Sequence, residues 1–131
     1  TDKKRQGLHE TKYHIENIKA DWKDRTLLIV DDFEQILHFF EEGLKKTGVK
    51  LLYAHDGIEA FEIYEQNAEE IDLVLIDLQM PRMNGLDLAK AIRKHDKKIP
   101  LIAQTGLALN IKEEDALKAG FNNLIYKPIQ I

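Results

Sequence analysis

At 131 residues the chain has room for one domain with a short extension and can bury a hydrophobic core of useful size. Hydrophobic residues at 44% and charged residues at 32% are the balance of a folded globular protein and exclude a disordered tail. The net charge of -4, from 23 acidic against 19 basic residues, removes any general attraction to nucleic acid or anionic lipid, and the absence of cysteine excludes disulfides, zinc thiolates and thiol nucleophiles.

Residues 1–24 are polar and sparsely apolar, and read as a linker ahead of a domain over residues 25–131. Within that linker Leu8, Ile15, Ile18 and Trp22 keep a seven-three-four spacing, enough for an amphipathic helix of about four turns. Asp2, Lys3, Lys4 and Arg5 precede no signal-peptide core, and no run approaches membrane-span length. The expectation is a cytoplasmic chain without membrane contact of its own, either free or cut, at Thr1, from the cytosolic part of a membrane-bound parent.

Strand-length apolar runs then recur at residues 27–30, 51–54, 73–76 and 101–103, with a weaker fifth at 124–126. They are continuous and not alternating, as expected of strands covered on both faces of a parallel sheet. Between the first two, Phe33, Ile36, Leu37, Phe40 and Leu44 space one buried helix face, and Gly48 stops it. Asp56 with Glu59 makes a capping box before Ala60, Phe61 and Tyr64. Asn84 caps a third helix through Leu86, Ala89 and Ile92, and Asn110 with Glu113 repeats the capping box before Ala116, Leu117 and a closing Gly120. Strict alternation with right-handed crossovers predicts an α/β fold, a doubly wound five-stranded parallel sheet in the order 2-1-3-4-5.

Ligands of such sheets bind beyond the carboxyl ends of the strands. Run one ends in Asp31 and Asp32, run three in Asp77, run four reaches Thr105 after Gln104, and run five ends in Lys127. Three carboxylates in one pocket repel each other unless a cation or raised pKa values relieve them, and a hard divalent ion is the simplest relief. A carboxylate beside such an ion can attack a phosphoryl group, with Lys127 and the Thr105 hydroxyl neutralising the peripheral oxygens.

These residues, together with Met80, Pro81, Met83, Asn84 and Gly85 after Asp77, Gly106 after Thr105 and Pro128 after Lys127, resemble the receiver domains of bacterial response regulators and hybrid histidine kinases. The resemblance spans residues 26–129. It implies that Asp77 accepts a phosphoryl group from a histidine kinase or histidine phosphotransfer domain, that Mg2+ (or Mn2+) is held by Asp32, Asp77 and the Gln79 carbonyl with Asp31 assisting through water, and that Thr105 and Lys127 contact the phosphoryl oxygens. It also implies a cis peptide between Lys127 and Pro128. The chain would catalyse its own modification and not turn over a free substrate. A hybrid sensor kinase is the expected parent, and a stand-alone regulator the alternative.

The chain departs from the family pattern twice. The position three before the lysine, usually aromatic, is Leu124; Tyr126 shares its face two residues on. The family's last helix is also missing, since the chain stops at Ile131. An apolar face on the fourth and fifth strands would then need a cover. A helix from residues 8–20 of the same or a neighbouring chain is one candidate, and a homodimer would form through it or through that face; an exposed connector helix is the rival. Two other classes compete. A magnesium-dependent aspartyl phosphohydrolase usually carries a second acid where this chain has Gln79, and a flavin-binding domain of similar topology needs a hydroxyl-rich first loop where this one has acids.

Overall fold

The computed structural model describes residues 20–80, 83–106 and 113–126. Five strands, β1 (Thr26–Val30), β2 (Lys50–Ala54), β3 (Leu73–Asp77), β4 (Leu101–Thr105) and β5 (Asn123–Tyr126), form one parallel sheet in the order β2-β1-β3-β4-β5. The helices are α1 (Glu34–Leu44), followed by a short 3-10 turn at Lys45–Thr47, then α2 (Gly57–Asn67), α3 (Gly85–His95) and α4 (Glu113–Ala119). Order and alternation are those expected from the sequence.

Why the strands read as unbroken apolar runs is plain from what covers them. Successive side chains of a strand point to opposite faces, so both faces need a hydrophobic layer. On one face Leu28, Val30, Val74, Ile76, Leu101 and Ala103 pack in a core shared with Ala60 and Tyr64 of α2, Leu88 and Ile92 of α3, and Ala116 of α4. On the other, Ile29 and Leu75 meet Ile36, Leu37, Phe39, Phe40 and Leu44 of α1. Truncating a fully buried residue such as Leu88 or Ile92 to alanine carries a cost of about 2 to 5 kcal/mol. The outer strand β2 is the least covered of the first four.

Two of the expected caps form. The Asp56 side chain accepts the Glu59 N–H at 2.8 Å, and Asn84 accepts the Asp87 N–H at 2.9 Å. The return half of the Asp56 box is displaced by one residue, because the Glu59 carboxylate accepts the His55 N–H at 3.1 Å. Two apolar assignments are corrected. Phe33 precedes the first turn of α1 and is exposed, while Phe39 takes a buried place on that helix. Leu117 of α4 is also exposed. The stripe at residues 8–18, the Asn110 cap, Pro81, Lys127, the Lys127–Pro128 peptide and the chain end at Ile131 lie outside the described residues. No helix among the described residues is long and apolar enough to cross a membrane.

Gly85 sets how closely α3 approaches the sheet. A Cβ there would lie 2.7 Å from the Asp77 carbonyl oxygen and 2.9 Å from the Leu78 Cα, both backbone atoms that cannot swing away. We therefore expect Gly85→Ala to destabilise the fold by roughly 1 to 3 kcal/mol in urea denaturation. An unchanged midpoint would mean that α3 does not hold the end of β3 this tightly.

Candidate functional site

Asp31 and Asp32 follow the last residue of β1, and Asp77 is the last residue of β3, the strand beside it. One carboxylate oxygen from each of the three lies within 4.8 Å of the others. Asp31 and Asp77 are buried to within 1% of their surface, whereas Asp32 is exposed at the mouth of the site.

The two buried carboxylates are fixed by the same device. Each accepts the backbone N–H two residues ahead, Asp31 Oδ1 from Phe33 at 2.9 Å and Asp77 Oδ1 from Gln79 at 3.0 Å, so the turn that leaves each strand also orients its acid. The Asp31 backbone stays in the sheet, its N–H donating to the Ala54 carbonyl at 3.0 Å. Gln79, expected to offer its carbonyl, is exposed beside the acids.

Thr105 ends β4 and is fully buried; its hydroxyl donates to the Gly106 carbonyl at 3.3 Å, a long bond that leaves the oxygen weakly committed. The residue before it, Gln104, is the register partner of Asp77, and Thr105 is the partner of Tyr126. Lys127 is the next residue along the chain from Tyr126 and lies outside the described residues. The structure thus brings together Asp31, Asp32, Asp77 and Gln79 and places Thr105 one step beyond the strand partner of Asp77.

Like charges at these separations oppose one another by about 1 kcal/mol per pair in water and by more where solvent is excluded. The donor set is all oxygen, with neither thiolate nor imidazole among the three, which suits a hard divalent cation. A surface groove around Tyr64, Asp72, His95 and Pro100 lies at the opposite ends of the strands.

One residue at the site had no assigned role in the sequence. Gln104 is 1% exposed, and among the described residues neither its amide nitrogen nor its amide oxygen has a hydrogen-bond partner. A buried polar group left this way costs about 1 to 3 kcal/mol. Its signal was available, since it is the only polar residue before Thr105 in an otherwise apolar strand. Leu124 packs half-buried against the core, while Tyr126, on the same face, is 48% exposed.

Comparison with known proteins shows the family. Residues 27–131 match the family model described as the response regulator receiver domain. The chemotaxis protein CheY1 of Helicobacter pylori is 39% identical over 105 residues, which cover 78% of this chain and 84% of that protein. The sensor histidine kinase RcsC of Salmonella typhimurium is 31% identical over 108 residues, covering 82% of this chain but 11% of the kinase. Among solved structures, a response regulator receiver domain protein from Clostridium thermocellum superposes with a TM-score of 0.74 at 28% identity, over 81% of this chain and 84% of that one. A chain of the CheX-CheY-BeF3-Mg+2 complex from Borrelia burgdorferi gives 0.73 at 29%, over 81% and 80%. The chain belongs to the response regulator receiver family, the receiving modules of two-component signalling. Such domains are signalling modules and not turnover enzymes.

If the three acids crowd one another as their geometry indicates, Asp32→Asn will raise the stability of chelator-treated protein by roughly 1 kcal/mol, a few degrees in thermal midpoint. A midpoint that falls would contradict the crowding.

Proposed function

We propose that Asp77 is the phosphoacceptor of this receiver, loaded from a phosphohistidine on a histidine kinase or histidine phosphotransfer domain. The observation that carries the reading is the convergence of three carboxylates, two of them pinned by backbone N–H groups, at the ends of adjacent strands in a chain of this family.

A carboxylate oxygen of Asp77 forms the new bond to phosphorus as the bond from phosphorus to the imidazole nitrogen breaks, and the imidazole leaves with the bonding pair and is protonated. The catalytic power required is mainly placement and charge neutralisation. The Gln79 N–H on Asp77 Oδ1 holds the acid in one orientation, so the attacking group is already placed before the donor arrives. Thr105, buried beside the partner of Asp77, supplies a hydroxyl, and Lys127 an ammonium group, to the phosphoryl oxygens.

Mg2+ (or Mn2+) would be held by Asp32, Asp77 and the Gln79 carbonyl, with Asp31 acting through water. When bound, it offsets the carboxylate charge and draws the phosphoryl oxygens toward the acceptor. Asp31 and Asp32 place two further negative charges near Asp77, which a divalent cation would offset.

The chain spans most of CheY1 but a small share of the kinase RcsC, and similarity of both kinds fits a receiver carried within a hybrid sensor kinase or one that works alone by docking. We favour the hybrid kinase because the polar residues 1–24 read as a linker leading into the receiver that begins at about residue 25. The cytoplasmic side is then its place of action.

Incubation with acetyl phosphate followed by intact-mass measurement tests the acceptor. We expect a single phosphoryl adduct that requires Mg2+ and is absent from Asp77→Asn. An adduct that survives this substitution would move the acceptor elsewhere, and no adduct in any condition would leave a docking module without phosphotransfer.

A further inference from the structure

The amide of Gln104 takes no part in the chemistry proposed for Asp77. Its neighbours in register are Asp77 on β3 and Ile125 on β5, and partners in a parallel ladder project from the same face of the sheet. That face is the one covered by α1, an apolar layer containing Ile29 and Leu75, with Ile102 and Ile125 packed against it. Asp77 is the only polar side chain directly alongside Gln104 on a neighbouring strand. The Leu78 N–H also donates to the Gln104 carbonyl at 2.9 Å, so the backbone of β4 at this point is tied to the chain leaving Asp77.

Adjacent strands lie about 4.8 Å apart, a distance that a glutamine side chain, with two methylenes before its amide, can span. In a buried apolar layer an amide without partners is a destabilising choice, and a leucine or methionine would fill the same volume without it. The group beside it whose chemistry changes most on modification is the Asp77 carboxylate, which would gain a phosphoryl group bearing oxygen acceptors.

We propose that Gln104 is a positioning residue for the phosphorylated state: its amide N–H groups, without a partner among the described residues, donate to the oxygens that gather at Asp77 once the phosphoryl group is in place. The side chain therefore acts as a latch that is satisfied only after modification, favouring the modified state relative to the resting one. This rests on Asp77 being the acceptor.

The test compares the full chain with Gln104→Met, which keeps the length and removes the amide. Beryllofluoride, a tetrahedral mimic of a phosphoryl group on a carboxylate, serves as the probe, titrated by calorimetry at saturating Mg2+, alongside Mg2+ alone and thermal midpoints of chelator-treated protein. The substitution should leave the midpoint unchanged or raise it, leave Mg2+ binding unchanged, and weaken beryllofluoride binding about tenfold, the loss of one hydrogen bond to a charged oxygen. Equal beryllofluoride affinity in the two proteins would overturn the proposal. So would a lowered midpoint, which would mean the amide is already partnered at rest. If the wild-type chain takes neither beryllofluoride nor a phosphoryl group from acetyl phosphate, the acceptor reading falls first and the latch with it. A wild type that binds while Gln104→Met binds equally well sinks the latch alone.

Discussion

The repulsion among Asp31, Asp32 and Asp77 is the constraint on which the rest of the molecule turns. Two of these acids are buried, and burial of charge is costly unless something nearby offsets it. The fold answers part of this cost itself, by directing a backbone N–H at an oxygen of each buried carboxylate. The three acids nevertheless stay within 4.8 Å of one another, and an all-oxygen cluster of this kind suits a hard divalent cation.

The sheet order makes the convergence unavoidable. With β1 beside β3 and β3 beside β4, the ends of these strands form one continuous rim, and the acids and Thr105 occupy successive places along it. The layers on either side are needed to hold that rim in register, since a slip of one residue would turn every side chain to the opposite face. The close approach of α3 at Gly85 fixes the turn that follows Asp77, so packing some distance from the acids still decides where the Asp77 carboxylate points. The register that sets Gln104 beside Asp77 arises from the same pairing and gives the site a link into the layer under α1.

Most of the fold was legible because burial on both faces leaves an unmistakable mark: runs such as residues 73–76 have no polar interruption and end abruptly in an acid. The caps at Asp56 and Asn84 were legible for a local reason, the short reach of a side-chain oxygen to an N–H three residues on. Helix faces were read less well. Phe33 fits the three-and-four spacing of α1, but it sits before the first helical turn, where spacing no longer determines direction, and it is exposed. Leu117 illustrates the same limit on the short helix α4, whose buried side is made by the smaller Ala116 and Ala119. The acids could be assigned to one pocket from strand ends alone. The state of Gln104 could not, because whether a buried amide is satisfied depends on neighbours from other strands that no local pattern specifies.

A thermal melt of the chain in rising MgCl2, set against NaCl of matched ionic strength, measures the central claim most directly. A ligand that binds the native acids stabilises the fold by mass action, so the midpoint should climb with MgCl2, level off as the site fills, and show no such climb in NaCl. Identical curves in the two salts would contradict the account, because they would show that the clustered carboxylates create no site for a divalent cation.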